Sequence, residues 1–221
     1  MLGSLVETID VTVPVNGTKG RPLALRGRLA LPAPPTGLVI FAHGSGSSRQ
    51  SPRSVAVAEV LHESWIGTLL VDLLTEQEAA SRASVFDVAL LSERLLAAVR
   101  FVSAFEQTKH LPLGLFGAST GAAAALVAAA CEPAVRAVVS RGGRPDLAGR
   151  RLRAVQVPTL LVVGGDDSDV LALNRQALAE LGCDEKVLAV VPGATHLFEE
   201  PGALDEVARL AAEWFTDHLH D

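Results

Sequence analysis

One short segment of this chain has the residue types for covalent catalysis: Gly117-Ala118-Ser119-Thr120-Gly121, a G-x-S-x-G. A serine hydroxyl is a weak nucleophile. It attacks a carbonyl only if a base takes its proton and if hydrogen-bond donors meet the negative charge that develops. The segment follows the apolar run Leu113–Phe116 and opens the alanine-rich stretch Ala122–Ala130. A nucleophile elbow needs this strand–turn–helix setting, because the glycines allow a strained turn that lifts the hydroxyl to the top of a sheet. The helix that follows presents its first amides there, which favours anionic charge. A small-residue turn without chemistry is the competing reading, and the setting weighs against it.

Six histidines could supply the base. His62 falls within a helical pattern, His110 in a loop before a strand, and His218 and His220 close to the end of the chain. These four read as solvated or capping imidazoles. His43 and His196 each follow a strand. His196 lies in the glycine-bearing stretch Val191–Phe198, between the last strand and the last helix, and is the better base. His43 belongs to the turn His43-Gly44-Ser45-Gly46, whose main-chain amides suit an oxyanion hole. The amide of Ser45, paired with that of Thr120, is the expected donor set. A phosphate loop is the rival reading of Gly44–Ser48. The stretch lacks the lysine of a P-loop and the G-x-G-x-x-G spacing of a dinucleotide site.

The acid that would orient the histidine is less sharply marked. Asp166, Asp167 and Asp169 all follow the apolar run Thr159–Val163. One is expected to accept from the imidazole and one to cap the next helix. Asp169 is placed for the cap, just ahead of Val170–Leu181. The residues alone leave Asp166 and Asp167 open for the other role. A calcium loop of the EF-hand type needs a longer ligand ladder ending in glutamate, which is absent here. No metal and no cofactor is expected.

Such residues meet only if strand ends share one rim. Gly37–Ala42, Thr68–Asp72, Leu113–Phe116, Ala137–Ser140, Thr159–Gly164 and Lys186–Val191 read as strands, mostly continuous in apolar residues and so covered on both faces. Val6–Val13 and Leu25–Leu31 read as an initial hairpin turning between Asn16-Gly17 and Arg21-Pro22. Between the later strands, apolar residues recur three and four apart. Val55, Ala58, Leu61 and Trp65 line one helix; Phe86, Leu90, Leu91, Leu95, Val99 and Val102 line a second. Leu173, Ala177, Leu178 and Leu181 line a third, and Leu204, Val207, Leu210, Ala211 and Trp214 the last. Asp87 and Asp169 favour helix starts, and Pro201 suits a first turn. The alternation predicts an α/β fold in one domain, residues 1–221. Its sheet has about eight strands, mostly parallel, with the first two antiparallel and helices on both faces. Ligands bind beyond the carboxyl ends of the strands in such a sheet, where Ser119, the aspartates and His196 all fall.

The order Ser119, an aspartate within 166–169, then His196 resembles that of the α/β-hydrolase superfamily. The stretches FAHGSGSSRQSPR, GLFGASTGAAAAL, VVSRGG, PTLLVVGGDD and VPGATHLFEEPG resemble the dienelactone-hydrolase-like branch, from about Leu38 to Phe215. The resemblance puts the acid at Asp167, with Asp166 as runner-up. It implies a serine hydrolase working through an acyl-enzyme, with Ser119, Asp167 and His196 as the triad. A dienelactone hydrolase proper carries a cysteine nucleophile. The serine at 119 turns the expected substrate from lactones to ordinary esters of small to medium size. In many enzymes of this fold a lid follows the sixth strand, but only Arg141–Pro158 stands there, so no lid domain and an open site are expected.

Arginines ring that rim. Arg141 and Arg144 follow the sixth strand; Arg49 and Arg53 follow the oxyanion turn. They read as solvated charge or as structural partners of Asp72 or Asp87. The sharper reading makes Arg49 and Arg141, with His43, substrate-binding residues that recognise an anionic group. Composition excludes other classes. Of 221 residues 49 % are hydrophobic and the formal charge is −6, with no strongly basic stretch, so nucleic acid is not expected as a partner. Cys131 and Cys183 read as small buried hydrophobes rather than a disulfide framework. Ala122 to Cys131 is ten residues long, half of the roughly twenty a membrane span takes. Met1 to Val15 lacks a basic leader. The expectation is a cytoplasmic enzyme with a small-molecule ester substrate and no membrane partner, its oligomeric state open. Acyl transfer or perhydrolysis by the same triad, and a non-catalytic receptor on a hydrolase fold, are the alternatives.

Overall fold

Most of the apolar runs are strands that meet water on neither side; the run Lys186–Val191 is the exception, an edge strand with Val187 and Val190 exposed. In a computed structural model describing residues 5–17 and 22–220, β3 (Gly37–Ala42), β4 (Ile66–Val71), β5 (Leu113–Ala118) and β7 (Thr159–Gly164) are buried at every position. With β1 (Val6–Asn16), β2 (Pro22–Pro32), β6 (Val135–Arg141) and β8 (Lys186–Val191) they form one eight-stranded sheet in the order β1-β2-β4-β3-β5-β6-β7-β8. β2 is antiparallel to both β1 and β4, and every other pairing is parallel. Most of the expected hairpin turn, residues 18–21, lies outside the described residues, as do residues 1–4.

The strand order reverses between β3 and β5. From β3 the chain crosses to β4 on one side and returns to β5 on the other. Loops leaving neighbouring strands at such a point diverge to opposite faces and open a crevice. His43-Gly44 leaves β3 there, and Ser119 leaves β5.

Two apolar layers hold the sheet. One packs under α4 (Val88–Ala104), α5 (Thr120–Ala129) and α6 (Ser168–Glu180), through Leu91, Leu95, Val99, Ala123–Leu126 and Ala177. The other packs under α1 (Pro52–Glu63) and α7 (Ala203–His218), through Val57, Leu61, Val207, Ala211 and Phe215. Between β6 and β7 the chain forms only 3-10 turns over Pro145–Ala154, so no lid domain stands there. No helix among the described residues is long and apolar enough to cross a membrane.

Some element ends differ from the sequence reading. α1 stops at Glu63, and Trp65 follows it at φ 62°, 42 % exposed, its carbonyl accepting the Thr36 N–H. Phe86 precedes α4 and is exposed beneath the Arg82 guanidinium. α7 begins at Ala203 behind a left-handed Gly202, which puts Pro201 in the turn before it. The short helices α2 (Glu76–Ala79) and α3 (Arg82–Val85) are too brief for any periodicity to announce. Cys183 is buried, but Cys131 is exposed.

Candidate active site

Ser119 occupies a backbone conformation, φ 51° and ψ −121°, that residues with a side chain rarely adopt. Its surroundings impose this. A Cβ on Gly117 would stand 2.4 Å from the Ala122 Cα, and one on Gly121 2.1 Å from the Ala42 carbonyl oxygen. Only glycine at both positions lets the start of α5 lie against the ends of β5 and β3. The strain is held by hydrogen bonds on both sides of the serine. Its N–H donates to the Arg141 carbonyl at 3.3 Å, and its carbonyl accepts the Arg144 N–H at 3.0 Å. Thr120 opens α5, so its amide is among the donors a helix leaves without an internal acceptor. The turn His43–Gly46, where the oxyanion hole is expected, sits beside the elbow: a Cβ on Gly44 would stand 2.9 Å from the Ser119 Cβ.

His196 arrives from the other side, on the loop between β8 and α7. Its Nδ1–H donates to Asp167 Oδ2 at 2.7 Å, with side-chain exposures of 39 % and 14 %. Gly142, the residue after β6, packs against this loop: a Cβ there would stand 3.2 Å from the His196 carbonyl oxygen and 3.6 Å from its Cε1. Asp167 takes the imidazole, and Asp166 is exposed. The expected role of Asp169 is corrected. α6 starts at Ser168 with Asp167 in the cap position, and no side-chain cap bond forms because the Asp167 carboxylate faces His196. Asp169 sits inside the first turn, where its charge still suits the helix dipole.

Two of the three proposed substrate-binding residues have other partners. The His43 Nε2 accepts the Leu73 N–H at 2.9 Å, and its Nδ1–H donates to the Gly44 carbonyl at 3.1 Å. Burial pushes its pKa down, so the ring is neutral and offers a substrate no hydrogen bond. Its place is to tie the oxyanion turn to the end of β4. Arg49 is bound through its main-chain N–H and its guanidinium to the Asp72 carboxylate, and Arg144 forks onto Asp146. These are structural pairs. Arg141 alone of the three has no such partner among the described residues.

A pocket of about 490 Å³ opens along the oxyanion turn. Ser45, Arg53 and Thr120 line it, together with the apolar Leu74, Ala79, Val85 and Leu91. The apolar wall comes in part from α2 and α3. The buried Arg94 holds α2 in place through Glu78, whose carboxylate also closes a capping box with Thr75. Among the described residues, no group of three or more His, Cys, Asp or Glu side chains gathers as a metal would require.

The chain has relatives among known proteins. A protein of Mycobacterium tuberculosis named "Putative phosphoribosyl transferase" is 57 % identical over 200 residues, covering 90 % of this chain but 45 % of its own length. The chain thus spans less than half of that relative. The crystal structure of a dienelactone hydrolase from Anabaena variabilis superposes with a TM-score of 0.91 at 50 % identity, covering 97 % of this chain and 99 % of that one. Est1E from Butyrivibrio proteoclasticus shares the fold, at TM-score 0.77 and 17 % identity over 94 % of this chain and 98 % of its own. The model of the dienelactone hydrolase family matches residues 73–219, which contain the elbow, Asp167 and His196, and the chain belongs to that family.

Proposed function

We propose that the protein hydrolyses small to medium carboxylic esters through an acyl-enzyme on Ser119. The observation that carries this reading is the His196–Asp167 hydrogen bond of 2.7 Å on the rim that also holds a strained serine elbow. In the first half-reaction the Ser119 Oγ attacks the ester carbonyl while the His196 Nε2 takes its proton. Asp167 fixes the tautomer and stabilises the imidazolium. The amides of Ser45 and Thr120 receive the oxyanion. His196 then protonates the leaving alcohol, and a water activated by the same nitrogen releases the acid.

This reading assigns no phosphoribosyl transfer to the chain. The relatives that carry that name extend well beyond the matched stretch, and the name describes the whole of each. The test is turnover of a series of p-nitrophenyl esters beside thioesters, amides and lactones. Short esters should be cleaved, and Ser119→Ala should lower kcat by roughly 10⁴- to 10⁶-fold with the fold retained. Ester turnover unchanged in that variant would end the reading.

A further inference from the structure

The guanidinium of Arg141 is in an uncompensated position. The residue ends β6 and is 9 % exposed, and its Nη1 is buried with no hydrogen-bond partner. No carboxylate lies within ion-pair distance of it among the described residues. Its nearest relief is the ring of Phe198, 5.9 Å away. Burial, with the charge of Arg53 adding to it, lowers its pKa to about 10, so it remains a cation at neutral pH.

Arg53 makes the imbalance larger. It stands in the first turn of α1, where the helix dipole disfavours a cation. Among the described residues its Nε is buried and unpartnered, and its one carboxylate, Glu199, is 3.4 Å away and 68 % exposed. Phe198 and Glu199 are consecutive, so the two guanidiniums converge on the same short stretch beside His196. A buried cation without a counter-ion is unfavourable, because it has given up its hydration for nothing in return. A protein gains from such an arrangement when a ligand brings the missing charge.

The location says which ligand. The main chain of Arg141 holds the Ser119 N–H, and Arg53 lines the pocket that runs along the oxyanion turn to Thr120. An anion seated on this pair would belong to the molecule being cleaved. We propose that Arg53 and Arg141 form a subsite for a phosphoryl group carried by the ester substrate. Glu199, 68 % exposed, offsets Arg53 only weakly from the solvent side. A carboxylate brings one charge and two oxygens, whereas a phosphoryl dianion brings two charges and three oxygens for the forks of the two guanidiniums. The Ser45 and Ser47 hydroxyls line the same pocket as further donors.

This inference rests on the ester-hydrolase reading, and the experiment separates the two. Three p-nitrophenyl esters of matched length serve as probes: butyrate, succinate monoester and 3-phosphonopropionate. The phosphonate ester should exceed the neutral ester in kcat/KM by about 10- to 100-fold at low salt, and should exceed the succinate ester as well. Arg141→Gln and Arg53→Gln should each bring that ratio toward one. Circular dichroism checks the fold of the first, and the second lies on a partly exposed helix start where folding is not at stake. As a readout without turnover, calorimetry with inorganic phosphate should give binding to Ser119→Ala that is lost when Arg53→Gln is added. Equal turnover of the three esters, preference for the succinate ester, or a ratio kept in both arginine variants would overturn the subsite. If none of the esters is cleaved but phosphate still binds and Arg53→Gln removes it, the hydrolase reading fails while the anion site stands.

Discussion

His43 and His196 both stand past the carboxyl end of a strand, on one rim of the sheet. His43 is 8 % exposed, and both its ring nitrogens are taken by main-chain groups of Gly44 and Leu73. The His196 side chain is 39 % exposed and has a single carboxylate on Nδ1. An imidazole saturated by backbone partners can fix a turn but cannot pass a proton. One anchored at a single nitrogen by a carboxylate keeps the other for chemistry. The difference lies wholly in the partners.

Substitutions can break this comparison, and the largest effect belongs on the His196 side. His196→Ala should lower kcat on an activated ester by roughly 10⁴- to 10⁶-fold with little change in melting temperature. Asp167→Asn should lower it by about 10⁴-fold, because asparagine would hold the wrong tautomer. Asp166→Asn should stay within about tenfold of the parent, as exposed sites away from a network do. A large loss from Asp166→Asn and none from Asp167→Asn would move the acid by one residue.

His43→Ala should act more weakly and in another way. Its removal leaves the buried Leu73 N–H without an acceptor, at about 1–3 kcal/mol of stability. It also loosens the turn that carries the Ser45 amide, so kcat should fall by about a hundredfold, as when one oxyanion donor is lost. Denaturant titration beside kinetics checks both. A loss as deep as that of His196→Ala would mean that the two histidines had been assigned in reverse.

The smallest effect is on stability against pH. Burial holds His43 and His62 below the ordinary imidazole value of 6.5. The folded chain keeps these rings neutral, while the unfolded chain takes up protons first as the pH falls. Their contribution is complete above 6.5 and is lost below it, by at most about 1.4 kcal/mol per pH unit for each group. Melting temperatures measured from pH 7.5 down to 5 should therefore fall, and less steeply in His43→Ala. An identical slope in the variant would contradict the neutral, backbone-bound His43.

Much of this was legible in the residues because it depends on local pattern. Runs such as Leu38–Ala42 and Thr159–Val163 have no polar side, so they had to be buried strands. Their alternation with helical periodicity leaves few topologies, and the rim residues follow. Ser119 and its flanking glycines were readable because the elbow is a contiguous steric problem. What depended on partners distant in sequence was not readable. Arg49 and Arg141 look alike on the chain, yet one meets Asp72 and the other meets no acid among the described residues. Asp169 looks like a cap only if α6 starts at Val170, and the helix starts two residues earlier, at Ser168. The helices α2 and α3 are four residues each, and they supply part of the pocket wall through contacts that no short window of sequence contains.

The central claim is that Ser119 is the acylated nucleophile and that His196 activates it. Incubation with a fluorophosphonate, followed by peptide mass spectrometry, tests it directly. The account predicts one adduct, on the Ser119 hydroxyl, formed far more slowly in His196→Ala and at near the parent rate in Asp166→Asn. An adduct on another serine, or labelling of Ser119 that proceeds unchanged without His196, would contradict it.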